Sequence, residues 1–135
     1  AKPSTGNAAE DSYMYGANLW EAKFYPEAQA QLQETIDKYP KYKRLSRTRN
    51  LLGRAWLDDG KPATAVKIFY DNYKNDPRGE RAADSLLFLG YALADLDKPV
   101  EACGSFDQLV KAYPAEAKSR LADRLAKGRA RAKCS

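Results

Sequence analysis

Apolar residues recur three and four positions apart along most of the chain, which is the spacing of residues on one face of an α-helix. Several of these runs end at a proline, in KYP, NDP and AYP, and proline disfavours a helical conformation at the residue before it. Only short turns such as DDGK and DLDK separate paired runs, so the paired helices form antiparallel hairpins. The pattern predicts helices near 9–22, 26–38, 44–58, 62–75, 80–96, 99–112 and 115–132.

The pattern also repeats with an interval of 37 residues. A glycine inside a helix costs about 1 kcal/mol relative to alanine, so a recurring glycine indicates that two helices approach closely. We expect Gly53 to face Ala65 within one hairpin, and Trp56 and Phe69 to fill the space between neighbouring hairpins. Three sets of residues keep the interval: Gly16, Gly53 and Gly90; Ala28, Ala65 and Ala102; and Pro40, Pro77 and Pro114.

A repeat of this length indicates an all-α solenoid, in which each hairpin buries its apolar face against the next. We expect residues 1–8 to be a flexible linker and residues 9–133 to form one repeat domain. The repeats cover about 9–43, 44–79 and 80–114, and residues 115–132 form a C-terminal capping helix. No apolar run approaches the roughly 20 residues of a membrane-spanning helix, so we expect no membrane insertion.

The order of glycine, alanine, large apolar residue and proline within each unit resembles the tetratricopeptide repeat (TPR). The stretches LWEAKFYPEAQAQLQETIDKYP and LLGRAWLDDGKPATAVKIFYDNYKNDP further resemble the C-terminal repeat domain of the Tol–Pal-associated periplasmic cell division coordinators, the YbgF/CpoB family. This resemblance implies a TPR-like α-solenoid in the periplasm. It also implies that the domain binds TolA and influences a peptidoglycan synthase, and that a trimerising coiled coil precedes it. We expect the present piece to be monomeric.

Catalytic chemistry has little support, because the chain contains no histidine. This removes the commonest general base and the imidazole metal ligands. Asp58 and Asp59 lie beside Gly60, where paired carboxylates are typical of a turn, and the eight glycines form no phosphate-binding loop. We therefore expect no enzymatic activity, no metal and no cofactor, and interpret the chain as a binding module.

The net charge of +5 arises mainly from an excess of lysine and arginine in residues 115–135. Two interpretations are open: a solvated outer helix face near a chain end, or a surface for an anionic partner. No aromatic residue interrupts this stretch to stack on bases, so we expect no nucleic-acid binding.

The two cysteines, Cys103 and Cys134, leave three alternatives open. A disulfide between them would tie the capping helix to the third hairpin in an oxidising compartment. Cys103 would otherwise be buried with Cys134 free in the tail, or Cys134 would pair with another molecule.

The resemblance also predicts a partner-binding groove, because first-helix residues line the concave face of TPR proteins. Arg47 and Arg54 share one helix face and are able to grip a carboxylate by forked hydrogen bonds. Trp20 has an alternative role, which is to cover the entry into the turn at Phe24 and Tyr25. By this register the groove contains Tyr13, Trp20, Arg47, Asn50, Arg54, Leu57, Leu87 and Tyr91.

Two functional classes follow from the sequence. The first is a non-catalytic adaptor of the bacterial cell envelope that binds TolA and helps to coordinate septal peptidoglycan synthesis with outer-membrane constriction. The second is a TPR subunit of an envelope assembly complex, similar to a β-barrel assembly lipoprotein scaffold. The sequence upstream of residue 1 distinguishes them, since a coiled coil favours the first and a lipidated cysteine the second.

Overall fold

The computed structural model describes residues 2–135, which contain eight α-helices and no β-strand. Successive helices pack as antiparallel hairpins in a repeat, so the predicted all-α, TPR-like solenoid is confirmed. The helix bounds are α1 Ala8–Glu21, α2 Tyr25–Lys38, α3 Leu45–Asp58, α4 Pro62–Asn75, α5 Ala82–Asp95, α6 Pro99–Ala112, α7 Pro114–Lys118 and α8 Ala122–Arg131.

The ends of the helices follow from local sequence. Asn7 caps α1 by accepting a hydrogen bond from the Glu10 N–H at 3.0 Å, so the helix begins one residue inside the predicted linker 1–8. Pro62 and Pro99 occupy the first positions of α4 and α6, where the missing N–H would have no intrahelical partner anyway. Ala1 lies outside the described residues.

The turn inside each hairpin has the same backbone shape. One residue per turn has a positive φ: Lys23 at 68°, Gly60 at 74° and Asp97 at 59°. The next residue donates its N–H to a carbonyl five positions earlier, as Lys61 does to Trp56 at 3.0 Å. This hydrogen bond is the mark of a Schellman helix end, so all three hairpins reverse direction by one mechanism.

The recurring glycines mark close contacts between the two helices of each hairpin, as predicted, and the nearest side chain is a large apolar one. A β-carbon on Gly53 would lie 2.5 Å from Cε1 of Phe69, which is fully buried. Gly90 stands in the same relation to Phe106, and Gly16 to Leu32. Each glycine therefore admits the large apolar residue of its own second helix.

The core is divided into two clusters along the solenoid. A smaller cluster surrounds Leu32 and Leu52, and a larger one runs from Phe69 to the C-terminal helices. The Phe69 ring stacks on Phe88 at a centroid distance of 5.9 Å, so Phe69 does join neighbouring hairpins as predicted. Trp56 contacts both clusters but remains partly exposed, so it bridges them from the side.

The predicted capping helix 115–132 is wrong as one continuous helix. The structure breaks it after Lys118, and α8 resumes at Ala122. The break places Arg120 where its guanidinium forms two hydrogen bonds to the buried carboxylate of Asp84, at 2.7 and 2.8 Å. The two charge-assisted hydrogen bonds of this arginine–carboxylate pair offset the backbone hydrogen bonds that the helix loses at the break.

The first helices of successive units contact one another, α1 with α3, α3 with α5, and α5 with α8. No contact of similar extent joins the second helices in residues 2–135. The first helices therefore line the inner, concave side, and α8 takes the place of a fourth first helix. None of the helices in the described residues is both long and apolar enough to cross a membrane.

Candidate partner-binding groove

The concave side contains a cavity of about 220 Å³ between α1, α3 and the start of α5. Five of the eight residues predicted for the groove line this cavity: Tyr13, Trp20, Arg47, Asn50 and Arg54. The other lining residues are Ala17, Glu21, Leu51 and Arg81. The structure thus brings together the predicted residues of the first two units, apart from Leu57.

Aromatic rings and arginines alternate along the concave side from α1 to α8. The Arg54 guanidinium carbon lies 4.7 Å from the centre of the Trp20 ring and 4.4 Å from that of Phe88. The Arg124 guanidinium lies 5.5 Å from the same Phe88 ring. Trp20, Arg54, Phe88 and Arg124 form what we call the aromatic–arginine ladder, held by cation–π contacts.

Arg54 is the central cation of this ladder. Burial lowers the pKa of its guanidinium, and the positive charge of Arg124 lowers it further, against the smaller raising effects of Asp58 and Asp84. Neither Arg54 nor Arg124 forms an ion pair or a side-chain hydrogen bond with any of residues 2–135. Their N–H groups are therefore available to a ligand.

Arg47 and Tyr13 form the opposite wall of the cavity. Arg47 donates to Glu80 at 2.8 Å, while its Nε is buried with no hydrogen-bond partner among the described residues. Burial raises the pKa of the Tyr13 hydroxyl, against the lowering effect of Arg47 and Arg81. Tyr13 therefore stays a neutral phenol at physiological pH beside a group of cations.

Asn50 lines the cavity and also takes part in a buried hydrogen-bond network. Only 6% of the residue is exposed, and its Oδ1 accepts a hydrogen bond from Ser85 at 3.0 Å. Ser85 in turn accepts from Asn72 at 2.9 Å, which connects α3, α4 and α5 through buried polar groups. Substituting Asn50 would disturb this network, so it is a poor probe of binding.

Trp20 lies in the groove, the first of its two predicted roles. Its indole N–H donates to Asp58 at 2.8 Å, and this bond fixes the ring beside Arg54. The neighbouring Asp59 accepts from Gln29 at 3.1 Å and pairs with Lys61. The two carboxylates thus stabilise the turn and the position of Trp20. The described residues contain no cluster of three or more potential metal ligands.

Three predicted groove residues lie outside the cavity. Leu87 is fully buried, so its prediction as a contact residue is wrong. Leu57 packs against the larger core cluster. Tyr91 packs edge-on against Phe106 and donates its hydroxyl to the Arg124 carbonyl at 2.7 Å, so it joins α5 to α8.

Sequence reasoning missed Phe88, Arg81 and Arg124. Phe88 directly follows Leu87 and is itself only 8% exposed, so the apolar pattern marks it as a core residue and does not indicate its contacts with Arg54 and Arg124. Arg81 precedes the first turn of α5, outside the repeating positions that were used. Arg124 would have been found if α8 had been aligned as the first helix of a fourth unit.

The basic C-terminal segment is mostly neutralised by the protein itself. Four of its cations form ion pairs: Arg120 with Asp84, Lys127 with Asp123, Arg129 with Asp107 and Arg131 with Asp95. Three of these pairs join the C-terminal segment to the third hairpin. Among the seven basic residues of 115–133, Lys118, Arg124 and Lys133 have no ion pair within the described residues.

The disulfide gives the C-terminal segment a further attachment. Cys103 of α6 and Cys134 are bonded at an S–S distance of 2.01 Å, with their Cα atoms 5.6 Å apart. Of the three alternatives for the cysteines, the structure contains the intramolecular bridge. It closes the sequence between the third hairpin and the end of α8.

A second cavity, of about 400 Å³, lies on the side of the second helices. It lies between α2, α3 and α4, and its lining combines polar side chains such as Arg49 and Asp71 with apolar ones such as Ile36. It contains none of the residues predicted for the groove. Its position outside the concave side makes it a useful control region for binding experiments.

Comparison with protein families agrees with this architecture. Residues 84–115, which run from α5 through α6, match the family described as tetratricopeptide repeat. No curated protein matches the chain. The first two hairpins have helices of the same 14-residue length as α5 and α6 and the same glycine contacts. The chain is a tetratricopeptide-like domain with three helical hairpins and a C-terminal cap.

Proposed function

We propose that this domain is a non-catalytic protein–protein interaction module and that its concave groove binds a segment of a partner protein. TPR domains typically serve this purpose, and residues 84–115 match that repeat. The observation that carries the proposal is the aromatic–arginine ladder, which joins large aromatic rings to cations whose N–H groups have no hydrogen-bond partner in residues 2–135. Tryptophan and arginine are the residues most enriched at binding hot spots.

We further propose that the domain acts in the bacterial periplasm and binds TolA, and that it helps to coordinate septal peptidoglycan synthesis with outer-membrane constriction. The resemblance to the Tol–Pal-associated division coordinators supports this proposal. The disulfide between Cys103 and Cys134 also supports it, because such bonds persist in oxidising compartments.

Calorimetric titration with the periplasmic part of TolA tests this function. We predict saturable binding that is lost in Ala17→Trp, because the indole would fill a cavity that a small residue now leaves open. Ala30→Trp is the matched control, since Ala30 is exposed on α2 outside the groove. Circular dichroism and thermal unfolding must show that both variants remain folded.

Each outcome of the titration has a clear meaning. Binding by Ala30→Trp but not by Ala17→Trp would support a groove-bound partner. Equal binding by both variants would overturn the assignment to the groove. No binding by the unsubstituted domain at low or moderate salt would overturn TolA as its direct partner.

A further inference from the structure

We propose that the segment bound in the groove is acidic, and that one of its carboxylates binds between Arg54 and Arg124. This inference rests on the proposed function, because it states the chemistry of the partner for the same site. It concerns carboxylate side chains of a protein segment and does not extend to nucleic acids or lipids.

The first argument is that two positive charges lie near the same aromatic ring. Arg54 approaches Phe88 from α3 and Arg124 approaches it from α8, at 4.4 and 5.5 Å from the ring centre. Phe88 is itself only 8% exposed, so both guanidinium groups lie close to a low-dielectric surface. Their mutual repulsion costs free energy that a carboxylate between them would remove.

The second argument is that nearby carboxylates are already engaged. Asp84 forms an ion pair with Arg120, and Glu80 forms one with Arg47. Asp58 accepts a hydrogen bond from the Trp20 indole N–H. Glu10 accepts the hydroxyl of Tyr42 at 2.5 Å. Among the acidic residues that line the cavity or adjoin it, only the exposed Glu21 at its rim forms no such contact in residues 2–135.

The third argument is the hydrogen-bonding capacity of Arg54. A guanidinium group carries its N–H donors in its own plane, and the Arg54 side chain forms no hydrogen bond within residues 2–135. These N–H groups suit the two oxygens of a carboxylate, which accepts paired hydrogen bonds. Arg81 lines the same cavity and also has no ion pair in the described residues, so it extends the cationic surface towards α1.

Three labelled peptides test the inference by fluorescence anisotropy with the whole domain. The peptides have equal length and differ only at four positions, which carry glutamate, glutamine or lysine. We expect the glutamate peptide to bind about tenfold or more tightly than the glutamine peptide, since hydrogen bonds to charged groups are the stronger ones. Its affinity should fall as salt is added.

Matched arginine variants locate the site. Arg54→Gln and Arg124→Gln should each weaken binding of the glutamate peptide about tenfold. Arg49→Gln is the control: it removes the same charge from α3, but Arg49 lines the cavity on the other side. We expect it to change affinity less than about twofold, through general electrostatic attraction alone.

The outcomes separate this inference from the proposed function. Equal affinity for the glutamate and glutamine peptides would overturn the proposal that the bound segment is acidic. The same conclusion would follow if Arg49→Gln weakened binding as much as Arg54→Gln and Arg124→Gln do. Competition by heparin as strong as that of the glutamate peptide would also overturn it, because the site would then accept any polyanion. If TolA binding is lost in Ala17→Trp but unchanged in Arg54→Gln and Arg124→Gln, the groove function stands and the acidic segment is wrong.

Discussion

A single residue, the glycine of each first helix, sets the distance between the two helices of a hairpin. Gly53 and Phe69 illustrate this, because the aromatic ring occupies the space that any β-carbon would need. The sequence predicted the close approach from the spacing of the glycines. It named Ala65 as the facing residue and missed Phe69, which lies four positions later on the same face of α4, because periodicity alone does not separate the two.

We predict that Gly53→Ala lowers the free energy of unfolding, whereas Gly104→Ala raises it. Overpacking against Phe69 costs about 1–3 kcal/mol, which exceeds the gain in helix propensity of about 1 kcal/mol. Gly104 also lies inside a helix, but a β-carbon there meets nothing within 4 Å, so only the propensity gain remains. Urea unfolding of both variants provides the measurement. Stabilisation by both would contradict the packing role of Gly53.

The turn residues give a second prediction at this scale. Asp97 has the same positive φ as Gly60 but carries a side chain, and that conformation costs a non-glycine residue about 1 kcal/mol. Asp97→Gly should therefore raise the midpoint of thermal unfolding, although a more flexible unfolded chain offsets part of the gain. Gly60→Ala is the opposite change and should lower it. A lower midpoint for Asp97→Gly would show that its side chain stabilises the turn.

At the scale of elements, the sequence located the six helices of the three hairpins because each combines an apolar stripe with a proline or a short turn at its end. The break between α7 and α8 had no such signal. It depends on Arg120 reaching Asp84 on another helix, a tertiary contact that local patterns do not contain. The same contact explains why α8, and not a continuous cap, occupies the position of a first helix.

We predict that reducing the disulfide loosens α8 before the rest of the domain. The bond closes a sequence separation of 31 residues, for which chain entropy gives a stabilisation of about 3–4 kcal/mol. Urea unfolding with and without reductant measures the loss of unfolding free energy. Hydrogen exchange shows which helices lose protection. Arg129→Gln is the comparison, because breaking the exposed pair with Asp107 should cost less than about 1 kcal/mol. Unchanged exchange in α8 after reduction would contradict this role for the disulfide.

At the scale of the whole molecule, the residues that the TPR register predicted on α1 and α3 line the cavity, apart from Leu57, whereas neither residue that it predicted on α5 does so. The reason is the position of each helix in the solenoid. Helix α1 has a neighbouring first helix on one side only and buries one residue, whereas α5 is flanked by α3 and α8 and buries ten. A register that suits a helix with one neighbouring first helix therefore predicts too many exposed residues on a helix with two.

The central claim is that the concave side, and not the outer side, binds the partner. NMR spectra of the isotope-labelled domain, recorded as the periplasmic part of TolA is added, test this claim most directly. We predict that the shifted backbone and side-chain signals come from α1, α3, α5 and α8, with the indole N–H of Trp20 and the guanidinium signals of Arg54 and Arg124 among the largest changes. Shifts confined to the second helices α2, α4 and α6 would contradict it.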